Sequence, residues 1–464
     1  MEEVILFGAS NLGKKAMQEL EDKYKILAFC DNDKSKWGKK INNVSIISIY
    51  DAIKLNVKII ITSTYYIEIT KQLMDNKLKD IEIYFTNDNG YYLEKTTKID
   101  IKKVEESSAN VLIIISFYSI YIHEFIKHMN KFDNLRFDIA TRDKKYLEKL
   151  NDYVENIYYY NNYDNLNEVI SYGNYEIIHL HYMEQVYSAL SHSIDMFCEK
   201  FIITYWGSDY YRESKSGILK VKELLNIADN ITFDNSYMLK EFCTEIGEEF
   251  FNKSIIRRFG LTQLDYINKH YSSYGKRNIG NKCNIICGYN ARKEQNHIPL
   301  LKELLKLPIC FKEKLHLIIP MTYGNSDAEY IIKVKELLKE LSIDFTILKE
   351  FLDFTQMAEL IEITDIMINV QTTDSLSATM LENLYAGNIV IAGGWLPYSE
   401  LRDRDIYFTS IDKIEEINLR LMEIVENLEL EKDKYINNRE KIYNLSSWER
   451  NSKKWLQLYY NEME

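Results

Sequence analysis

Small, polar and acidic residues follow the strand-like run 365–370 and lead into a predicted helix. Ser375 and Ser377 leave room for phosphate oxygens to reach the free amide groups at the helix N-terminus, where the helix dipole also favours an anion. Glu382 lies about two turns further along, where its carboxylate could accept both hydroxyls of a ribose, with an ordinary helix-surface carboxylate as the alternative. Asp374 is a candidate catalytic residue, with an ordinary helix cap as the alternative. The segment therefore predicts a site for a nucleoside diphosphate.

Two adjacent cations and two further polar residues follow other strand-like runs of the same region. Arg292 and Lys293 come soon after one such run, where arginine can bind a diphosphate through two hydrogen bonds and lysine can act as a point charge. Tyr323 and Asn325 follow the next run and could contact a base or a sugar. Ligands of open parallel sheets bind beyond the carboxyl ends of the strands, so we expect these residues to line one site. A solvated loop is the alternative for the two cations.

Two candidates for proton transfer occur earlier in the chain, each at the end of a strand-like run. His181 and Asp209 could accept a proton from an attacking hydroxyl or orient a bound sugar. A single histidine at a strand end can equally be structural, and that alternative stays open. Arg257 and Arg258 follow in this region, and either of them could face the site.

The N-terminus carries a second phosphate-binding pattern. Gly8 and Gly13 follow the first strand-like run and open the first predicted helix, as in dinucleotide-binding loops. Asp31 ends the second run, where an acidic side chain could bind ribose hydroxyls, and Ser10 replaces the middle glycine of the pattern. We predict nucleotide binding by these four residues, with a purely structural loop as the alternative.

Strand-like runs alternate with helix-length segments along the whole chain, which predicts right-handed crossovers and parallel sheets. The fold class is therefore α/β, with three Rossmann-like units in series. The predicted strands are 4–7, 26–30, 57–62, 81–85, 111–115, 137–140, 177–180, 201–204, 230–233, 284–287, 315–319, 345–348, 365–370 and 388–392.

The composition excludes several classes of protein. The 464 residues carry a net charge of −12, which argues against nucleic-acid binding because phosphate neutralisation requires a basic face. The six cysteines form no Cys-x-x-Cys pair and are expected to be free thiols in a reducing cytosol. The N-terminus lacks the basic start of a signal peptide, and no apolar run approaches the roughly 20 residues of a membrane span.

We expect no metal site and a cytoplasmic protein. The Asp-x-Asp spellings at 31–33 and 403–405 are interpreted as surface turns rather than metal ligands. Basic patches at 34–40 and 142–149 leave peripheral contact with the inner face of the membrane open, with solvated surface as the alternative.

Three resemblances to known families add to this interpretation. The start, VILFGASNLG, resembles small nucleotide-binding domains fused to bacterial sugar-modifying acyltransferases and polysaccharide glycosyltransferases. The segment 374–387 resembles the Glu-x7-Glu element of retaining GT-B glycosyltransferases, with aspartate at the first acidic position and Ser-Leu-Ser in place of Gly-Leu-Pro. Further segments are similar to the 4-acetamidofucosyl transferases of bacterial surface-polysaccharide assembly, namely QNHIPLLKEL, LHLIIPMTYGNSDAEYI, ILKEFLDFTQMAELIEITDI and GGWLPY.

These resemblances imply a domain order and a function. The implied domains are a nucleotide-binding domain at 1–95 and a linker at 96–110. They are followed by the two halves of a GT-B enzyme at 111–270 and 283–440, with a cleft between them, and by a helix at 441–464 that packs back. The implied activity is transfer of a sugar from a nucleotide-diphosphate sugar to a hydroxyl of a bacterial surface polysaccharide or glycolipid precursor. The Glu-x7-Glu element favours retention of configuration, whereas the 4-acetamidofucosyl transferases are regarded as inverting.

Two other functions stay open from the sequence. One is a protein that binds nucleotide sugars but has lost catalytic activity. This function is suggested by the altered Gly-Leu-Pro segment and by the absence of the family's glycine-rich first loop, in whose place Ser116–Ser119 stands. The dinucleotide-like loop suits a nicotinamide-dependent sugar-modifying enzyme that uses the N-terminal domain.

Overall fold

A computed structural model of the chain describes residues 1–78, 80–87, 90–96, 98–274, 282–324 and 327–460. Asn325, one of the predicted site residues, is not among the described residues. Neither are residues 275–281, which make up most of the stretch between the two implied GT-B halves.

Strands in the described part of the chain fall into three groups along the sequence. The first group is β1 Glu2–Phe7, β2 Tyr24–Cys30, β3 Lys40–Ile41, β4 Val44–Ile47, β5 Lys58–Ile61, β6 Ile81–Asn87 and β7 Gly90–Lys95. The second is β8 Val111–Ile114, β9 Phe137–Thr141, β10 Asn156–Tyr159, β11 Ile177–His181, β12 Lys200–Thr204, β13 Asn230–Phe233 and β14 Ser254–Ile256. The third is β15 Cys283–Cys287, β16 Leu315–Pro320, β17 Asp344–Leu348, β18 Ile366–Asn369, β19 Ile389–Gly393 and β20 Thr409–Ile411.

The α-helices separate these strands. Up to the second group they are α1 Asn11–Leu20, α2 Ile49–Leu55, α3 Tyr66–Asp75 and α4 Ile101–Glu105. Among the second group they are α5 Ile120–Met129, α6 Lys145–Lys149, α7 Tyr163–Tyr172, α8 Ser191–Phe197, α9 Ser208–Tyr211, α10 Lys215–Lys220, α11 Lys222–Ile227, α12 Ser236–Ile246 and α13 Gln263–Tyr274. After β15 they are α14 His297–Leu304, α15 Ile309–Lys312, α16 Ala328–Glu340, α17 Phe354–Ile363, α18 Ala378–Tyr385, α19 Ser399–Asp403, α20 Ile417–Glu426, α21 Leu428–Asp433, α22 Asn438–Ser446 and α23 Trp448–Tyr460.

The chain divides into two compact units, each made of separate stretches of sequence. The first contains Met1–Ser119, Asp133–Leu180 and Val186–Phe201, and the second contains Ile120–Phe132, His181–Gln185 and Ile202–Glu464. Strand order in the first unit is β3-β4-β2-β1-β5-β6-β7 in one sheet and β10-β9-β8-β11 in another. Strand order in the second unit is β12-β13-β14 in one sheet and β17-β16-β15-β18-β19-β20 in the other.

Most strand pairs are parallel, as the alternation of strands and helices predicts. Among the pairs that the structure describes, only β3 with β4 and β6 with β7 run antiparallel. The inner strands are continuous apolar runs because helices cover both faces of a parallel sheet. In the C-terminal sheet, for example, every residue of β15, β18 and β19 is buried.

The predicted α/β class is confirmed, and all fourteen predicted strands are present. The strands missing from the prediction are β3, β4, β7, β10, β14 and β20, which lie at or beside sheet edges. The five-residue helix α4 was also not predicted, and it lies within the polar stretch 96–110. The structure contains no helix, among the described residues, that is both long enough and apolar enough to cross a membrane.

A buried tyrosine ties the last two strands of the C-terminal sheet together. The Tyr435 side chain is 1% exposed, and its hydroxyl donates to the carbonyl oxygen of Val390 at 3.2 Å. The same hydroxyl accepts hydrogen bonds from the amide groups of Val390, at 3.4 Å, and Thr409, at 3.2 Å. Residues beyond the sheet thus satisfy backbone groups of β19 and β20.

We expect Tyr435→Phe to lower the free energy of unfolding of the second unit by about 1–3 kcal/mol, because the buried amide groups lose their acceptor. Urea denaturation followed by circular dichroism measures this loss. Tyr237→Phe is the matched control, since Tyr237 lies in the same unit and is 48% exposed. Equal denaturation midpoints for the two variants would show that the Tyr435 hydroxyl adds nothing to stability.

Candidate functional site

Two adjoining cavities lie within the second unit, and they share Trp206, Asp234, Tyr289, Asp374 and Leu376. The larger, about 290 Å³, we name the aromatic cavity; its lining includes Tyr121, Tyr205, Trp206, Phe259, Tyr289 and Tyr323. The smaller, about 210 Å³, we name the polar cavity; its lining includes Ser208, Arg212, Asn290, Arg292, Glu294 and Thr373.

Strand register brings the loops of this site together. Cys287 at the end of β15 pairs with Ile368 in β18, so the loops that carry Arg292 and Asp374 leave the sheet side by side. Thr204 at the end of β12 pairs in the same way with Thr232 in β13, just before Asp234. The carboxyl ends of these neighbouring strands therefore form the site, as expected for open parallel sheets.

A glycine allows the loop after β12 to approach the loop after β18 closely. Gly207 has a φ of +96°, and a Cβ atom there would lie 2.8 Å from the Cβ of Ser375. Both the backbone conformation and the space therefore exclude larger residues. Ser375, which was predicted from the sequence to bind the donor, is buried at this contact and lines the polar cavity.

Asp234 stands where the two cavities meet, and the sequence prediction missed it. Its Oδ1 accepts hydrogen bonds from the Ser375 hydroxyl, at 2.6 Å, and from the Asn235 side-chain amide, at 2.8 Å. Burial raises the pKa of Asp234 to about 6, while the Ser375 hydrogen bond and the charge of Arg258 oppose that rise. Asp234 directly follows the predicted strand 230–233, so the strand-end rule used for other loops could have found it.

Asp374 lines both cavities and is not a helix cap. Its carboxylate accepts a hydrogen bond from the hydroxyl of Tyr398, and Ser377 occupies the cap position of α18 instead. Burial raises the pKa of Asp374 to about 7, against the opposing effect of the Tyr398 hydrogen bond. The alternative that Asp374 is an ordinary cap is therefore wrong.

The N-terminus of α18 opens onto the aromatic cavity. The Ser377 hydroxyl accepts a hydrogen bond from the amide of Met380 at 3.2 Å, and the Ser377 carbonyl accepts one from Leu381. The amide groups of Ala378 and Thr379 bond to no acceptor within the described part of the chain, and both residues line the cavity. Such first-turn amides, at the positive end of the helix dipole, suit an anion.

Four arginines line the cavities, namely Arg212, Arg257, Arg258 and Arg292, but Lys293 does not. Arg292 and Arg212 are exposed and line the polar cavity. Arg258 lines the aromatic cavity, is 7% exposed, and pairs through Nη2 with the Glu400 carboxylate at 2.5 Å. Lys293, predicted beside Arg292 as a second cation at the diphosphate, starts a short 3-10 helix, is exposed and lines neither cavity.

Glu382, in α18, does not line the aromatic cavity. Its charge raises the pKa of Tyr121 and of Tyr323, two residues that do line that cavity. Burial raises the pKa of Glu382 itself to about 7. Tyr323 thus stands at the cavity as the sequence suggested.

The two predicted proton acceptors of the earlier loops have other surroundings. Both Asp209 oxygens accept backbone hydrogen bonds, from Trp206 at 2.8 Å and from Met183 at 2.9 Å, and Asp209 lines neither cavity. His181 is fully buried against aromatic rings, with its ring centroid 5.6 Å from that of Phe125. Burial lowers the pKa of His181 to about 3 and raises that of Asp209 to about 7. Asp209 therefore holds two loops together, and His181 belongs to an aromatic core.

The N-terminal loop, in the first unit, makes its own internal contacts. A Cβ atom on Gly13 would lie 1.9 Å from the carbonyl oxygen of Gly8, so only glycine fits there. Ser10 precedes α1 without a side-chain capping bond. Asp31 accepts hydrogen bonds from the amide of Ala9 and from the Lys36 ammonium group, at 2.9 and 2.8 Å. Ribose binding by Asp31 remains a prediction and would have to compete with these bonds.

Comparison with known proteins places the site within a known fold. A family model described as C2185-like, N-terminal, matches residues 1–84. No curated protein matches the chain.

Solved structures match most of the chain. A glycosyltransferase from Rickettsia africae has 16% identity and a TM-score of 0.61, over 76% of this chain and 99% of its own. Anabaena HepE, solved with UDP and glucose, has 10% identity and a TM-score of 0.61, over 76% and 99%. Sucrose-phosphate synthase from Thermosynechococcus elongatus has 13% identity and a TM-score of 0.59, over 76% and 98%. The chain therefore has the α/β fold of the GT-B glycosyltransferases.

Proposed function

We propose that the protein is a glycosyltransferase that moves a sugar from a nucleotide-diphosphate sugar to a hydroxyl group, without a metal ion. The observation that carries this proposal is one site that combines an arginine, a helix N-terminus and two carboxyl groups. Arg292, Asp234 and Asp374 line the polar cavity, and the amides of Ala378 and Thr379 line the adjoining one. The fold of the similar structures supports the same activity.

The chemical demand is stabilisation of the departing diphosphate. Cleavage of the anomeric C–O bond leaves negative charge on the diphosphate beside a sugar of oxocarbenium character. Fixed donors and cations can stabilise that charge in place of a metal ion. We assign this to Arg292 and to the first amides of α18, since the nearby Arg258 guanidinium is already paired with Glu400.

The nucleoside then belongs in the aromatic cavity. Tyr323 offers a ring face for a base, and Glu382 lies close enough to Tyr323 to raise its pKa. A carboxylate at this depth can accept both ribose hydroxyls, as the Glu-x7-Glu resemblance implies. HepE was solved with UDP and glucose and also with UDP-glucose, which makes UDP-glucose the first donor to test.

The resemblances support a proposal for the acceptor. Similarity to enzymes of surface-polysaccharide assembly supports a bacterial surface polysaccharide or glycolipid precursor as the acceptor, at the inner face of the membrane. The resemblance to the Glu-x7-Glu enzymes supports retention of configuration, and that to the 4-acetamidofucosyl transferases supports inversion. The anomer formed from a donor of known configuration distinguishes the two.

Thermal denaturation with a panel of UDP-, GDP-, dTDP- and CMP-sugars, all with EDTA present, tests the donor class. A bound donor at 100 times its Kd should stabilise the folded state by about 2.7 kcal/mol by mass action. NAD serves as the comparison ligand for a nicotinamide-dependent enzyme. Stabilisation by NAD alone would contradict the proposal. Stabilisation by a nucleotide sugar without hydrolysis or transfer would indicate a protein that binds nucleotide sugars without catalysis.

We expect Arg292→Ala to lower turnover on the order of 100-fold, because one stabiliser of the transition-state charge is lost. Lys293→Ala is the matched control, because that exposed neighbour lines neither cavity and its loss should change turnover little. Steady-state kinetics with the donor from the panel measures both variants. Similar turnover in the two variants would remove Arg292 from the site.

We expect Glu382→Gln to weaken donor binding about tenfold or more, because hydrogen bonds from the ribose hydroxyls to a charged acceptor are lost. Isothermal titration calorimetry with the nucleoside diphosphate measures the change in Kd. Glu336→Gln, on the exposed face of α16, is the control. An unchanged Kd in Glu382→Gln would reject the ribose role.

A further inference from the structure

We infer that Asp234 is the catalytic base, which takes the proton from the acceptor hydroxyl during transfer. The inference rests on the proposed glycosyltransferase function and adds a residue to it. It follows from the place of Asp234 in the site, the state of its two oxygen atoms and the surroundings of the other acidic groups.

Asp234 lies at the junction that both substrates must share. It lines the aromatic cavity, where we place the nucleoside, and also the polar cavity. The bond that is broken must lie between the diphosphate and the sugar, near this junction. A hydroxyl that attacks the sugar must approach the same point, so its proton is released within reach of the shared residues. Among those, Asp234 and Asp374 carry carboxyl groups.

One oxygen of Asp234 is fixed and the other is open. Oδ1 accepts from the Ser375 hydroxyl and from the Asn235 amide, at 2.6 and 2.8 Å. Oδ2 accepts no hydrogen bond from any residue that the structure describes. The two bonds on Oδ1 orient the carboxyl group, which leaves Oδ2 to face a ligand. A base must be oriented in this way and must keep a lone pair for the proton.

The other acidic and basic candidates are engaged elsewhere. Asp374 accepts the Tyr398 hydroxyl, and Asp209 binds two backbone amides. His181 is packed among aromatic rings and lines neither cavity. Glu382 lines neither cavity and is already assigned to the ribose of the donor. Of the two carboxyl groups that both cavities share, Asp234 is therefore the one whose geometry suits proton transfer better.

The charges around Asp234 set its titration. Arg258 lowers its pKa and Glu400 raises it, while Asp374 and the hydroxyl of Tyr211 interact with it from the neighbouring loops. Burial is the largest effect and brings the pKa to about 6. A base must be deprotonated to act, so kcat/KM should fall as the pH drops below about 6. A pKa close to neutrality suits general base catalysis.

The proposed step is a direct displacement. The acceptor oxygen forms the new bond to the anomeric carbon while the bond from that carbon to the diphosphate oxygen breaks, and its electron pair leaves with the diphosphate. The hydroxyl proton passes to Oδ2 of Asp234 and later to solvent. Attack opposite the leaving group inverts the anomeric configuration, so this inference replaces the expectation of retention.

The decisive variant is Asp234→Asn, which keeps an acceptor for Ser375 and Asn235 but cannot take a proton. We expect kcat for transfer and for slow donor hydrolysis to fall at least 100-fold, on the order of one general base. Calorimetry should show donor binding within about twofold of the native protein, and the acidic limb of the pH profile should disappear. Asp403→Asn, at an exposed position, is the control and should behave like the native protein.

Two further measurements do not depend on that variant. Proton NMR of the sugar first released from an α-linked donor should show the β anomer. Ser375→Ala removes a hydrogen bond that lowers the pKa of Asp234, so the acidic limb should move to higher pH. An unchanged acidic limb in the pH profile of Ser375→Ala, or release of the α anomer, would overturn the inference even if Asp234→Asn did not fold.

The outcomes also separate this inference from the function on which it rests. If the native protein neither binds, hydrolyses nor transfers any nucleotide sugar, both the role of Asp234 and the glycosyltransferase function are overturned. An active native protein with an Asp234→Asn variant that keeps its kcat within threefold would overturn the role of Asp234 and leave the glycosyltransferase function standing.

Discussion

The close approach of Gly207 to Ser375 is the constraint on which the geometry of the site depends. The missing side chain at Gly207 lets the loop after β12 reach the loop after β18, and Ser375 then bonds to Asp234 from the next strand along. Three loops from two sheets are thereby fixed against each other. The shared wall of the two cavities consists of residues from these loops and from the loop after β15.

The same packing concentrates charge in a region of low solvent access. Burial raises the pKa values of Asp234 and Asp374 to about 6 and 7, because the protein atoms around both carboxyl groups disfavour their charged forms. The Arg258–Glu400 pair stands beside them with its own buried charges. Removing one partner of such a pair is costly, so this cluster constrains substitution on both sides of the site. Carboxyl groups with pKa values near neutrality are also typical of functional sites.

Most strands of the sheets and part of the site could be predicted from the sequence. Arg292 and Asp374 were predicted together because both follow long apolar runs, and β15 and β18 prove to be neighbours. Short edge strands such as β3, with two residues, offer too little periodicity to be recognised.

The direction of side chains and the contacts between residues far apart in the chain could not be predicted from the sequence. Lys293 follows Arg292 in the chain but starts a 3-10 helix that leaves it outside the cavities. Asp209 looked free for catalysis because its partner Met183 is 26 residues away. Asp234 was missed although its position obeys the same strand-end rule as Asp374.

The bond from the Ala9 amide to Asp31 has a consequence for the first unit. Asp31 Oδ2 already accepts the Ala9 amide, which a phosphate group at this loop would need, and the same oxygen pairs with the Lys36 ammonium group. An incoming nucleotide would have to displace this carboxylate, a group of like charge, together with its counter-ion. Nucleotide binding at this loop therefore requires the Asp31 side chain to move.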